Sequence, residues 1–328
     1  MVFSAVCMLG GCGAFERTGD EPLPPAAAAS AASESRQQER LDAAADLTDA
    51  GQYDEAIAIF REILAENPTV TTAYLGLGDI HLTQGDYAAA EPVYARAARL
   101  EPRNFDAQFG HGVSLQMLDR LVDAVRAYHR ALVLRPDSPR VNLNLATTYL
   151  QMEQARSALT YAQRAVELEP DNGSARINLG AVYDRLGMLD EAIASYRAAS
   201  ELVDPSPELI MNIVNVLARA GRYREAIDAA QTLNRLEPSA NAYERMGWAW
   251  FRLGEFEQSA AAYREAVMLD PEHWPSFNGI GINALNRWLL SERRDGAARN
   301  EAREALRRSL RLNPGQERVI SLLSTYQL

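Results

Sequence analysis

One period dominates this sequence. Written as consecutive lines of 34 residues, Thr71–Asn104 and Phe105–Ser138 place small, aromatic and proline residues in the same columns. The first line carries Leu77, Gly78, Ala90, Tyr94, Ala97 and Pro102; the second carries Gly112, Leu115, Ala124, Tyr128, Ala131 and Pro136. A period of this length marks a helix–turn–helix unit. Such a unit exposes an apolar face that only a neighbouring unit can cover. The proline after each second helix stops it, because proline supplies no N–H to continue the ladder. Small residues allow close helix approach, and the aromatics fill the wedge between neighbours.

These columns resemble the tetratricopeptide repeat, whose pattern sets Leu-Gly and Tyr in helix A, and Ala, an aromatic, Ala and a closing Pro around helix B. In phase, the repeats run 37–70, 71–104, 105–138, 139–172, 173–206, 207–239, 240–273 and 274–315. The sixth is one residue short, and the eighth holds about nine extra residues near 287–298. The resemblance implies an all-α, right-handed superhelical solenoid of about eight repeats. Residues 316–328 carry one apolar stripe, Val319, Ile320, Leu322, Leu323 and Tyr326, which resembles a C-terminal capping helix. The alternative for that stripe is an amphipathic helix that docks a partner.

Composition narrows the function. The net charge is −11, and all 33 basic residues are arginine. An acidic chain with scattered arginines lacks a phosphate-backbone footprint, so no nucleic-acid partner is expected. No run of about 20 apolar residues offers a spanning helix. The two cysteines, Cys7 and Cys12, lie in the first dozen residues, which leaves none for a disulfide or zinc site in the repeats. His81, His111, His129 and His273 show no metal-ligand spacing. No phosphate-binding loop or nucleophile elbow is present. A non-enzymatic chain without cofactor, metal or small-molecule substrate is therefore expected.

At the N-terminus, residues 1–12 form a short apolar run ending Leu9-Gly10-Gly11-Cys12, which resembles a bacterial lipobox. No basic residue precedes the run. The resemblance implies lipidation at Cys12, with a membrane anchor that needs no spanning helix. It places the chain in a bacterial envelope facing the periplasm, the outer membrane favoured because Gly13 follows Cys12 in place of Asp. A soluble cytoplasmic adaptor is the alternative. Residues 13–36 are rich in Pro, Ala and Ser and read as a disordered tether.

The expected binding wall is the inner face of the A helices. Asn144, Asn178 and Asn212 recur at 34-residue steps. They resemble the asparagine ladder in the repeat arm of O-linked N-acetylglucosamine transferases, which implies a grip on the backbone of an extended peptide. An amide offers both donor and acceptor for this. The other reading is a hydrogen bond to a neighbouring helix. Arg185 and Arg219, again 34 apart, with Arg140, Asp184 and Asn215, fall in other inner columns. They either hold an acidic segment or form a solvated face. The columns that chaperone-binding relatives use to clamp a carboxylate hold Leu143, Ile177 and Met211 here. Trp248, Phe251, Ile282 and Leu285 read as an apolar anchor, unless the end of the long helix near Trp288 or the capping helix covers them. The expected function is a protein-binding scaffold in envelope, pilus or secretion assembly. The recruiting arm of a separate glycosyltransferase is a further reading.

Overall fold

A computed structural model describes the backbone of residues 25–328 and the side chains from residue 33. Cys7, Cys12 and the lipobox-like run lie outside the described residues. Every regular element described is an α-helix, and the chain divides into two compact units after Glu101. The first unit holds α1 (Pro25–Asp49), α2 (Tyr53–Glu66), α3 (Thr71–Thr83) and α4 (Tyr87–Leu100). The second holds the A–B pairs α5 (Phe105–Met117) with α6 (Leu121–Leu134), α7 (Pro139–Gln151) with α8 (Ala155–Leu168), and α9 (Gly173–Leu186) with α10 (Leu189–Ser200). The pairs α11 (Pro207–Arg219) with α12 (Tyr223–Leu236), α13 (Ala240–Arg252) with α14 (Phe256–Leu269), and α15 (Trp274–Leu290) with α16 (Gly296–Leu312) follow. The last element is α17 (Glu317–Thr325).

Local chemistry sets these boundaries. From α5 to α13 each A helix is capped by a short polar side chain: Asn104, Ser138, Asn172, Ser206 and Ser239 accept an N–H from three residues ahead. Each cap pairs one of the donors a helix start leaves open. The A-to-B turn needs one residue at positive φ. Gly187, Gly221 and Gly254 supply it freely, whereas Asp119 and Glu153 adopt φ near 59° and 58° at a steric cost.

Packing rests on a size match. In the second unit the rings of Tyr128, Tyr196 and Tyr263 lie where a Cβ on Gly112, Gly180 or Gly247 would come within 2.6, 2.7 and 3.0 Å. Where helix B carries Ala162 or Ala230 in place of the ring, helix A carries Ala146 or Val214 in place of glycine, and all four are buried. In the last pair Leu306 fills the ring's place, 2.6 Å from a Cβ built on Gly281. These pairs stay buried although Ala with Ala fills less volume than a ring with glycine, and Ala with Val comes closer to it. Tyr263 also reaches the next repeat, where a Cβ on Gly279 would meet its ring at 2.3 Å. In the first unit Tyr94 over Gly78 and Phe60 over Gly76 repeat the two contacts.

One expectation changes. Helix α1 begins at Pro25, so the latter half of the segment read as a disordered tether is helical. Its alanines are the strongest helix formers, and that propensity outweighs low hydrophobicity. The extra residues of the eighth repeat lengthen both of its helices to 17 residues and leave a short loop at 291–295. Helix α17 caps this end: Val319, with Leu322, Leu323 and Tyr326, packs with Leu285, Trp288 and Leu306.

Gly279→Ala is expected to lower stability by about 1–3 kcal/mol through overpacking against Tyr263. Gly296→Ala, with nothing within 4 Å of its built Cβ, is expected to stay within about 0.5 kcal/mol of the parent. Urea unfolding of the two variants checks both values.

Candidate functional site

The wall expected to bind a partner belongs to α7, α9, α11, α13 and α15 in the second unit. The contacts α7–α9, α11–α13 and α13–α15 set neighbouring A helices side by side. Side chains facing away from the B helices at these contacts form a surface shared by several repeats.

The asparagine column does not lie wholly on that surface. The column leads toward the preceding B helix, as Gly279 does toward Tyr263. Asn144 accordingly makes a side-chain hydrogen bond with the Tyr128 hydroxyl, which itself donates to Gln116 Oε1 at 2.7 Å. Burial pushes the pKa of the Tyr128, Tyr196 and Tyr263 hydroxyls up, so they stay neutral packing groups. Opposite Asn178 the ring is replaced by Ala162, and Asn178 Nδ2 donates to Thr147 Oγ1 of α7 at 2.7 Å instead. Asn178 Oδ1 is buried without a partner. The reading in which the amide bonds a neighbouring helix therefore describes Asn144 and Asn178. Asn212 differs: it is half-buried and has no hydrogen-bond partner among the described residues.

Arg185 and Arg219 sit in the last turns of α9 and α11, where a cation also complements the helix dipole. Arg219 is engaged: its Nη1 pairs with Asp184 Oδ1, and its Nη2 lies 3.4 Å from the Asp184 main-chain oxygen. Arg185 is exposed and forms no ion pair among the described residues. A third member of this column, Arg252, follows Arg219 by 33 residues in the last turn of α13. The one-residue deletion in the sixth repeat hid it from a count in steps of 34. Its guanidinium lies 5.2 Å from the centroid of the Trp248 ring and 5.1 Å from that of Tyr223. Arg140 is placed likewise, 4.4 Å from the centroid of Phe109.

The expected apolar anchor is divided. Trp248 is half-buried, edge-on to Tyr223 with centroids 5.5 Å apart. Phe251 is half-buried and packs on Phe256 at 5.4 Å. Ile282 is exposed. Leu285 is not available: it is 5% exposed, in the cluster formed with α16 and α17. What remains is Arg185, Asn212, Asn215, Trp248 and Phe251, on α9, α11 and α13. Asn215 is half-buried and, like Asn212, has no hydrogen-bond partner among the described residues.

All four histidines are half-buried. His273 braces two helices, with Nδ1 2.8 Å from Ser276 Oγ and Nε2 3.0 Å from Asn241 Oδ1. Among the described residues no group of His, Cys, Asp and Glu could hold a metal ion. No described helix is long and apolar enough to cross a membrane.

Comparison with known proteins follows this geometry. A family model described as tetratricopeptide repeat matches residues 47–109, and a second of the same description matches 81–139, 143–207 and 211–273. Among curated proteins, human superkiller complex protein 3 is 26% identical over 106 residues, which is 32% of this chain and only 7% of that protein. Among solved structures, PilF of Pseudomonas aeruginosa superposes with a TM-score of 0.55 at 18% identity, covering 62% of this chain and 93% of PilF. PilW, a type IV pilus biogenesis factor, gives the same TM-score and identity, covering 61% of this chain and 92% of PilW. At such identity these two likenesses show the fold alone.

Thr147→Val is expected to cost about 1–3 kcal/mol, because it leaves the Asn178 amide buried with neither end paired. Adding Asn178→Leu removes the stranded group and is expected to restore most of the loss. A double-mutant cycle in urea reads the coupling.

Proposed function

Because this chain belongs to the tetratricopeptide repeat family, whose members are generally non-enzymatic protein-binding scaffolds, we propose that it holds an extended polypeptide on the A-helix wall of α9, α11 and α13. One observation carries this reading. Asn212 and Asn215 on α11 carry amides with no hydrogen bond inside the described chain, and the neighbouring helix α13 carries the half-buried ring of Trp248. An unengaged amide can accept a peptide N–H and donate to a peptide C=O without regard to the partner's side chains. Trp248, Phe251 and the stacked Arg252 give an apolar, cation-rimmed seat for an anchoring side chain. Arg185 adds an unpaired cation at the near end of the wall. Asn144 and Asn178 support the wall by bracing α7, and Arg219 ties α11 to α9.

The proposed setting is a bacterial envelope, with the chain tethered by lipid at Cys12. The motif Leu9-Gly10-Gly11-Cys12 supports the tether. The likeness to a type IV pilus biogenesis factor makes pilus or envelope assembly the process in which we place the scaffold.

Panning a peptide-display library against the full chain tests the wall. With a photo-crosslinker at position 215 or 248, selected peptides are expected to crosslink. The triple variant Asn212→Ala/Asn215→Ala/Trp248→Ala is expected to lose at least about tenfold in affinity. Equal affinity for parent and variant, with both folded, rejects the wall. Fractionation tests the tether: the parent is expected with membranes and Cys12→Ala in the soluble fraction. Parent protein in the soluble cytoplasmic fraction rejects the tether and favours the adaptor.

A further inference from the structure

A row of arginines lies on a B helix of the last pair, α16. Helix α16 carries Arg299, Arg303, Arg307, Arg308 and Arg311 against Glu301 and Glu304, within a chain of net charge −11. Four of these arginines, 303, 307, 308 and 311, line a concavity of about 1060 Å³ whose apolar floor includes Phe277 and Ile280. Among the described residues none of the four is paired with an Asp or Glu side chain. Arg303 Nη2 donates to Asn300 Oδ1 at 2.9 Å, and Arg307 Nη2 to the main-chain oxygen of Leu328 at 3.1 Å. Arg308 lies 6.0 Å from the centroid of Phe277, and Arg311 is exposed.

The carboxylates of the concavity do not offset this charge. Glu301 is already held by Arg264 at 2.8 Å and Arg287 at 2.7 Å, which keeps its pKa low even though burial opposes that shift. Glu304 is the one lining carboxylate outside an ion pair among the described residues. A helix in a protein this acidic would ordinarily have its guanidinium groups met by carboxylates of the same chain. Here Glu301 is taken up by arginines outside the row, which leaves Glu304 as one unpaired carboxylate against four arginines.

We propose that this concavity is a docking site for an acidic, extended segment of a partner polypeptide, independent of the A-helix wall. The spacing supports an extended strand. Arg303, Arg307 and Arg311 follow at i,i+4 steps, a rise of about 6 Å each. Side chains on one side of an extended peptide recur at about 6.6 Å. Alternate Glu or Asp residues can therefore each meet a guanidinium, with charge-assisted hydrogen bonds. The residues between them can rest on Phe277 and Ile280. A nucleic acid fits less well, since the apolar floor and the acidic remainder of the chain disfavour a long polyanion.

Fluorescence anisotropy with the full chain tests this, using a labelled (Glu-Ala)5 peptide and a (Gln-Ala)5 control in low and physiological salt. The Glu peptide is expected to bind at least about tenfold more tightly than the control, and more weakly as salt rises. Arg303→Gln/Arg308→Gln/Arg311→Gln is expected to remove that preference while the circular-dichroism melt stays in place. Should the triple variant unfold, the exposed Arg311→Glu reversal alone is expected to weaken binding at least threefold. Equal binding of the two peptides, or arginine variants that bind like the parent, overturns the proposal. So does a short DNA strand or phosphatidylglycerol vesicles taking up the arginine-dependent binding in preference to the peptide.

Discussion

A tyrosine ring seated where a neighbouring residue has no Cβ is the packing contact shared by three of the second unit's hairpins. Tyr263 shows it most fully, because its ring meets Gly247 of its own repeat and Gly279 of the next. One side chain thus fixes both the packing inside a hairpin and the packing between hairpins. A backbone approach this close leaves little freedom in helix spacing, since protein interiors are packed to crystal density. Where the ring is absent, Ala162 with Ala146 and Ala230 with Val214 are still buried, though they fill less volume than ring and glycine. Stability in such a stack is a sum over hairpins and their interfaces.

That packing decides which residues are left for function. The columns nearest the B-helix rings are drawn into the stack, so Asn144 bonds the Tyr128 hydroxyl and Asn178 bonds Thr147. Farther along the unit, Asn212 and Asn215 keep unengaged amides, and the neighbouring helix α13 carries a half-buried tryptophan with an arginine over its ring. The proposed wall is therefore shorter than the repeat array, confined to three A helices. At the end of the unit, longer helices and α17 bury Leu285 and Trp288 and leave a row of arginines on α16 facing outward. Both surfaces arise from departures from the regular pattern.

The regular part was legible in the sequence. Pro102, Pro136 and the Gly112–Tyr128 spacing carry the period, and the period dictates hairpins with a ring-bearing B helix. The Asn and Ser caps fall in one column for the same reason. What failed to show was direction and exception. A 34-residue step tells that Asn144 and Asn178 are equivalent without telling which helix their amides meet. Arg252 escaped notice because a single deletion moved its column. For Leu285 the sequence leaves both readings open, and the structure gives the covered one: α16 and α17 pack over it, along a path that no periodicity encodes. The first half of α1, residues 25–36, reads as tether because low hydrophobicity argues for disorder, while runs of alanine favour helix whatever they bury.

Native-state hydrogen exchange on Tyr263→Ala tests the central claim most directly, because it reports stability helix by helix. The ring contact predicts that α13 and α15 lose protection together with α14, while α5–α8 keep theirs. Loss of protection confined to α14, or spread evenly over the second unit, would contradict a Tyr263 ring that joins its own hairpin to the next.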